Sequence, residues 1–339
     1  MPTSTARAAV LAALLAASPL AVSSAWAWGA TGHRLIGEAA TAAFPSELPA
    51  FLRTPAAVQE IGELAREPDR SKGSGAPHDA DLDPGHFVDL DDEGKINGGP
   101  LLASLPATRE GYEAALQAVG TDGFKSGYLP YTIQEGYEQL VTDFAYWRIE
   151  TAALKTTSDP QDRAWILRDL TLREVLLLRD LGYWAHFVGD GSQPMHVSIH
   201  FNGWGRSSNP HGYTTDKIHA PFEGAFVHDH VTLAAVEAGM KPFSACTPIA
   251  TCTAQYLAAT GATVEPLYQL WGTGVFQSAD PKAVAFTTER VAAGASELRD
   301  LVVDAWRASE DSSVGYPKFS VRDAEAGKPV PIGALVGED

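Results

Sequence analysis

Apolar residues recur at three- and four-residue spacing along most of this chain, the repeat of a helix that buries one face. The pattern predicts an N-terminal helix starting near Gly32 and running over residues 33–44, and a second over 55–66 that the Glu67-Pro68 step terminates. Further helical patterns span residues 105–119, 133–156, 231–239, 255–277 and 280–308. The longest runs over residues 161–189, where Leu167, Leu170, Leu177, Leu181, Trp184 and Phe187 predict a buried central helix. Residues 70–100 and 198–216 are rich in Gly, Asp, Asn, Pro and Ser and read as two long loops, a length that in compact domains goes with function. Residues 217–231 begin another helix. No internal repeat and no alternating strand pattern stands out. The fold expected is mainly α, one domain over residues 28–310 followed by a polar, loosely held tail over 311–339.

The first 27 residues carry one charge, Arg7, then an alanine- and leucine-rich run and Ala25-Trp26-Ala27, the A-x-A form of a signal-peptidase site. They read as a removed secretory leader, with cleavage after Ala27 and a secreted or periplasmic protein as the result. No other apolar run reaches the length of a membrane helix. The formal net charge of −17 gives no electrostatic footprint for clamping duplex DNA and counts against a DNA-binding regulator. It leaves a phosphodiesterase open, because bound divalent metals make a site locally positive. Cys246 and Cys252, the only cysteines, are six apart in an oxidising compartment and predict a small-loop disulfide rather than a metal site.

The chemistry concentrates in HFVGDGSQPMH, residues 186–196. His186 and Asp190 are four apart and leave one helix face a turn apart. Gly191 and Pro194 then turn the chain, so that His196 can approach the pair from outside the helix. Imidazoles and a carboxylate on a bent scaffold suit zinc; the plainer alternative is a core histidine, a helix-surface aspartate and a loop histidine.

Five ordered motifs extend the pattern: WGxxGH at residues 28–33, Asp69 before a long loop, GHFVD at 85–89, HFVGDxxQPMH at 186–196 and HxxxE at 219–223. In this order they resemble the superfamily that joins zinc-dependent bacterial phospholipases C to the single-strand-specific nucleases of the P-one type, over most of the chain from Trp28 to about Val227. The resemblance implies three Zn2+ and nine ligands. Asp69, His86, His186 and Asp190 hold one ion, and His196, His219 and Glu223 a second. Trp28, through a freed terminal amine and its carbonyl, joins His33 and a bridging Asp190 at the third. Such an amine has an ordinary pKa of about 8, within reach of displacement by zinc. The resemblance further implies attack on phosphorus by a metal-bridging hydroxide, with Asp69 orienting or deprotonating it.

Asp89 either contacts substrate or belongs to a solvated acidic loop. Phe87 and Trp204 either stack on a base or lipid headgroup or simply pack. His228 and His230, like His78, His200 and His211, fall outside the ligand pattern and read as surface or supporting residues. The WGxxGHRLIGEAA start and the chain length point to a nuclease acting on single-stranded DNA or RNA. Glu223, and QPMH followed by HAPFEGAFV, point to phospholipase C; NGWGRSSNPHG replaces the glycine–asparagine motif that nucleases place after the third histidine. The expectation is a monomeric nuclease, with phospholipase C and then a non-catalytic zinc-binding protein as alternatives.

Overall fold

The computed structural model describes residues 28–205 and 208–337. The expected leader, residues 1–27, lies outside the described residues. The architecture is mainly helical. Five helices organise it: α1 (Gly29–Ala42), α2 (Pro55–Leu64), α3 (Leu129–Thr156), α4 (Pro160–Asp190) and α5 (Pro281–Ala308). α3 and α4 pack along each other, α1 lies against α2 and α5, and α5 touches α3 and α4.

Three of these helices begin alike. Thr54, Asp159 and Asp280 accept hydrogen bonds from backbone N–H groups of the first turn, and each is followed by a proline whose missing donor costs nothing there. The inward faces of the five helices, together with Phe222, feed one large apolar core that includes Ile36, Leu140, Phe144, Leu181, Trp184, Leu298 and Val302. α1 comes very close to α2: a Cβ on Gly37 would lie 3.0 Å from the Gly62 Cα, so glycine is what allows the approach.

Several expectations change. α1 begins three residues earlier than the periodicity suggests. Residues 70–100 are not loop throughout, since Ala76–Leu82 is helical and Asp83–His86 forms a 3-10 turn. The pattern over 255–277 divides into helices Ile249–Gly261 and Val264–Gly272. Leu167 points outward, about half exposed, so the first part of α4 is not a buried helix. The tail is packed rather than loosely held, which moves the end of the folded unit past residue 310. Ser313–Val314 pairs antiparallel with Phe319–Ser320, and Val314, Val321, Ala324 and Val330 bury against Ile149 and Ile166 of α3 and α4 in a second apolar cluster. Arg148 of α3 secures this segment by donating to Glu325 (2.6 Å) and Ser309 (2.9 Å). Cys246 and Cys252 form the expected disulfide, and among the described residues no helix is long and apolar enough to cross a membrane.

Candidate metal centre

The last turn of α4 is where the helices converge. His186 and Asp190, both fully buried, leave it on one face. α1 crosses at Gly189, where an added Cβ would lie 3.3 Å from His33 Nδ1, and this brings the His33 ring onto that of His186 at 3.8 Å between centroids. Gly191 does not supply a left-handed cap, for its backbone is right-handed. Its role is space: a Cβ there would meet the Tyr256 ring at 2.5 Å. The chain then enters the 3-10 turn Pro194–His196, which the Gln193 side chain caps by accepting from the Met195 N–H.

The other polar side chains come from short, irregular elements around this turn. Asp69 sits on the helical turn Glu67–Arg70 after α2, and His86 ends the 3-10 turn Asp83–His86. His219 precedes a π-helical turn, Pro221–Phe226, that carries Glu223; π turns of this kind recur at functional sites.

These residues make three buried groups that could hold metal ions: His33, His186 and Asp190; Asp69, His86 and His186; and His196, His219 and Glu223. Within each, the candidate ligand atoms lie within 4.8 Å of one another. His186 belongs to two groups. Asp190 also spans them, with Oδ1 3.5 Å from His33 Nε2 and Oδ2 3.1 Å from His86 Nδ1 and 3.4 Å from His186 Nε2. In the third group Glu223 Oε2 lies 2.6 Å from His219 Nε2 and 3.7 Å from His196 Nε2, and Gln193 donates to the same oxygen at 2.9 Å.

Supporting contacts orient the rings. His186 Nδ1 meets the Ala65 carbonyl at 2.8 Å and His196 Nδ1 meets the His86 carbonyl at 2.7 Å. An Nδ1–H donated to a carbonyl leaves Nε2 as the lone-pair nitrogen, the arrangement usual for a metal-ligating histidine. His86 Nε2, His196 Nε2 and Glu223 Oε1 are buried and have no hydrogen-bond partner among the described residues. Unpaired buried polar atoms are costly, and a metal is the kind of partner that nitrogen and carboxylate oxygen donors fit.

Electrostatics agree with this fit. Burial, reinforced by Lys72, holds the imidazoles of His86 and His186 well below their ordinary pKa, and burial also lowers His196, so all three present neutral rings. Burial and the neighbouring Asp69 push the Asp190 carboxyl well above its usual range, a group that needs a nearby cation to ionise. Burial works against the Glu223 carboxylate too, but His219 and His196 outweigh it and hold its pKa down to about 2.

Trp28 belongs to none of these groups; its carbonyl accepts from the Gly32 N–H at 3.1 Å, and its side chain packs beside them. Its buried indole Nε1 donates to the Gly189 carbonyl and to Ser192 Oγ, each at 2.9 Å, and its ring lies 5.6 Å from that of Phe222. The Trp28 side chain is therefore held between the turn that ends α4 and the turn that carries Glu223. The φ of Trp28, +35°, is rare for a bulky residue and marks a position that its surroundings hold in place.

One cavity of about 990 Å³ opens onto the second and third groups, with His86, His196 and His219 in its wall. Phe87, Asp89, Asn97, Phe124, Phe201 and Lys72 line the rest. Asp89 is buried, so the solvated-loop reading of it is corrected. For Trp204 the packing alternative holds rather than a place among the substrate contacts: it lies outside this cavity, stacked on His200 at 3.6 Å and set edge-on to Tyr268, beside a separate hollow of about 650 Å³. His200 is itself buried, bonded to Asp92 at 2.9 Å, whereas His78, His211 and His228 are exposed. The structure adds residues that the pattern missed. Lys72 pairs with Asp69 Oδ1 at 2.5 Å, and its three-residue offset from Asp69 was the available signal. Gln193 braces His219 and Glu223 at once, and Phe124 and Phe201 stand part-exposed at the cavity.

No protein-family model, curated protein or solved structure matches this chain.

Proposed function

We propose that the chain is a zinc-dependent phosphodiesterase that hydrolyses P–O ester bonds, acting on single-stranded DNA or RNA. The observation that carries this reading is the opening of two buried His/Asp/Glu groups, one of which shares His186 with the remaining group, onto a single cavity bordered by aromatic rings and two lysines. A storage protein has no use for that cavity.

Asp69, His86, His186 and Asp190 would hold one ion, His196, His219 and Glu223 another, and His33 and Asp190, with the backbone of Trp28, a further one. Bound divalent cations of this type supply charge neutralisation for phosphate oxygens and an activated water at neutral pH. The chain's own side chains do the rest. Lys72 turns an ammonium toward the same cavity and offers a point charge to a phosphodiester oxygen. Asp69, held by Lys72 and facing His186 Nε2 at 3.8 Å, has one carboxylate oxygen engaged and a second to orient or deprotonate water. Phe87, Phe124 and Phe201 offer ring faces to bases, the sequence-tolerant contact that single strands use. The formal net charge of −17 fits a short stretch of single strand rather than a duplex.

Two assays test the reading. Nucleotide release from single-stranded DNA or RNA, abolished by chelator and restored by zinc, is the expected result; phosphocholine release from lecithin instead would assign the site to a phospholipase C. Activity on neither, in a protein that retains zinc, would favour a binding protein. A form that keeps residues ahead of Trp28 should lose one metal and most activity.

A further inference from the structure

A helix leaves its last carbonyls without N–H donors of its own, and the end of α4 meets that need with side chains from two other elements. The Ser192 N–H, which would serve Val188 if the helix continued, turns to the Gly189 carbonyl at 2.9 Å. The Val188 carbonyl accepts the Tyr256 hydroxyl instead, at 2.6 Å. The Gly189 carbonyl takes the Trp28 indole N–H as well, at 2.9 Å. Ser192 Oγ closes this triangle, accepting from the same indole at 2.9 Å and donating to Gly189 at 2.8 Å. Tyr256 stands on the helix Ile249–Gly261 and Trp28 is the N-cap residue of α1, so the turn is gripped from two separate parts of the chain.

Both grips bear on the candidate ligands. Val188 and Gly189 lie between His186 and Asp190, so the carbonyls that Tyr256 and Trp28 hold belong to the very turn from which those two side chains leave. Trp28 also stands five residues ahead of His33. Pinning it at Gly189 sets the start of α1 against α4, where the His33 ring stacks on that of His186. The fit is close on both sides. The Tyr256 ring fills the space that Gly191 leaves, and a Cβ on Gly32 would lie 2.8 Å from the Trp28 Cβ, so Gly32 of WGxxGH makes room for the tryptophan side chain. The metal role given to residue 28 uses backbone atoms alone, which any residue would supply. The indole N–H is what singles out tryptophan.

We infer that Tyr256 and the Trp28 indole are positioning residues for the two groups that share His186, holding the end of α4 so that His186 and Asp190 meet His33, Asp69 and His86. The inference rests on the reading of those groups as zinc sites. The test is titration of zinc into the processed protein against a chelating dye. Tyr256→Phe and Trp28→Phe keep an aromatic ring in place, and the second keeps the terminal amine and carbonyl. Each should weaken zinc about tenfold or more at the groups that contain His186, and leave the group of His196, His219 and Glu223 at wild-type affinity. Tyr131→Phe is the control. It removes an equivalent bond, to the Pro106 carbonyl at 2.7 Å rather than to the ligand turn, and should leave every zinc affinity unchanged. Wild-type affinity at all sites in both variants would overturn the inference while the zinc reading stands. Equal weakening at all three sites would overturn it too, because that is the mark of a fold loosened throughout. A wild-type protein that binds zinc at none of the groups would overturn the zinc reading and this inference with it.

Discussion

The two ends of α4 solve opposite problems with one helix. At its C-terminal turn polar groups are buried and converge: His186, Asp190 and, just beyond, Gln193 and His196 sit in the core, with Asp190 Oδ1 and His196 Nε2 lacking a hydrogen-bond partner among the described residues. Toward its N-terminal end Leu167, Leu172, Val175 and Leu176 are exposed, while Arg173 turns inward to Asp143 and Glu150 of α3, and the Glu150 carboxylate oxygens also lack a hydrogen-bond partner among the described residues. The first arrangement leaves donors in need of an ion. The second sets one arginine among carboxylates and brings no imidazole to them. Burial alone therefore does not separate function from structure, and neither does an unpartnered buried atom, which occurs at both ends; what separates them is the convergence of imidazole and carboxylate donors within 4.8 Å of one another around the C-terminal turn.

The sharpest break of that comparison is His186→Ala. Because His186 belongs to two of the three groups, its loss should remove more than one metal and lower turnover on the order of 10³-fold or more, the scale of losing a principal electrostatic contributor, as read by metal analysis and single-strand cleavage. Asp69→Asn should lower kcat far more than it weakens substrate binding; equal losses in both would make Asp69 a purely structural ligand. Gln193→Leu removes a brace without removing a ligand, and zinc affinity at the third group should fall about 10- to 100-fold, measured by competition with a chelating dye.

The α3–α4 charge network gives the smallest effect and a pH signature. Burial, helped by Asp169, raises the carboxyl of Glu150 from 4.5 to about 8, against an opposing pull from Arg173. Below pH 4.5 the group is protonated in both folded and unfolded chains. As pH rises toward 8 the unfolded chain releases a proton that the folded chain keeps, so stability falls across that interval and levels off above it. Glu150→Gln should flatten this slope, and its advantage in melting temperature over the wild type should grow between pH 5 and 8. Parallel curves for the two proteins would show that Glu150 is ionised in the fold.

The same contrast explains what the amino-acid pattern could and could not disclose. The candidate ligands were legible because metal chemistry restricts residue type, and because i,i+4 spacing and the Gly191–Pro194 turn restrict direction. Helical periodicity likewise exposed α3, α4 and α5 to within a few residues. It could not say which way α4 faces: leucines at three and four spacing mark one side of a helix, and only the partner helix decides whether that side is inward. Leu167 was misplaced for this reason, and Arg173, a charged residue, turned out to face inward. Trp204 and the tail differ again. An aromatic in a polar loop gave no hint of His200 and Tyr268 beneath it, and the valines at 314, 321 and 330 are too widely spaced to show a period, yet they pack together on α3.

The most direct test of the central claim is a zinc count on the processed protein that begins at Trp28, purified without added metal or chelator. Three zinc ions per chain are expected, falling to two in a form with residues left ahead of Trp28. A processed protein that folds with no zinc and takes none up would contradict the account.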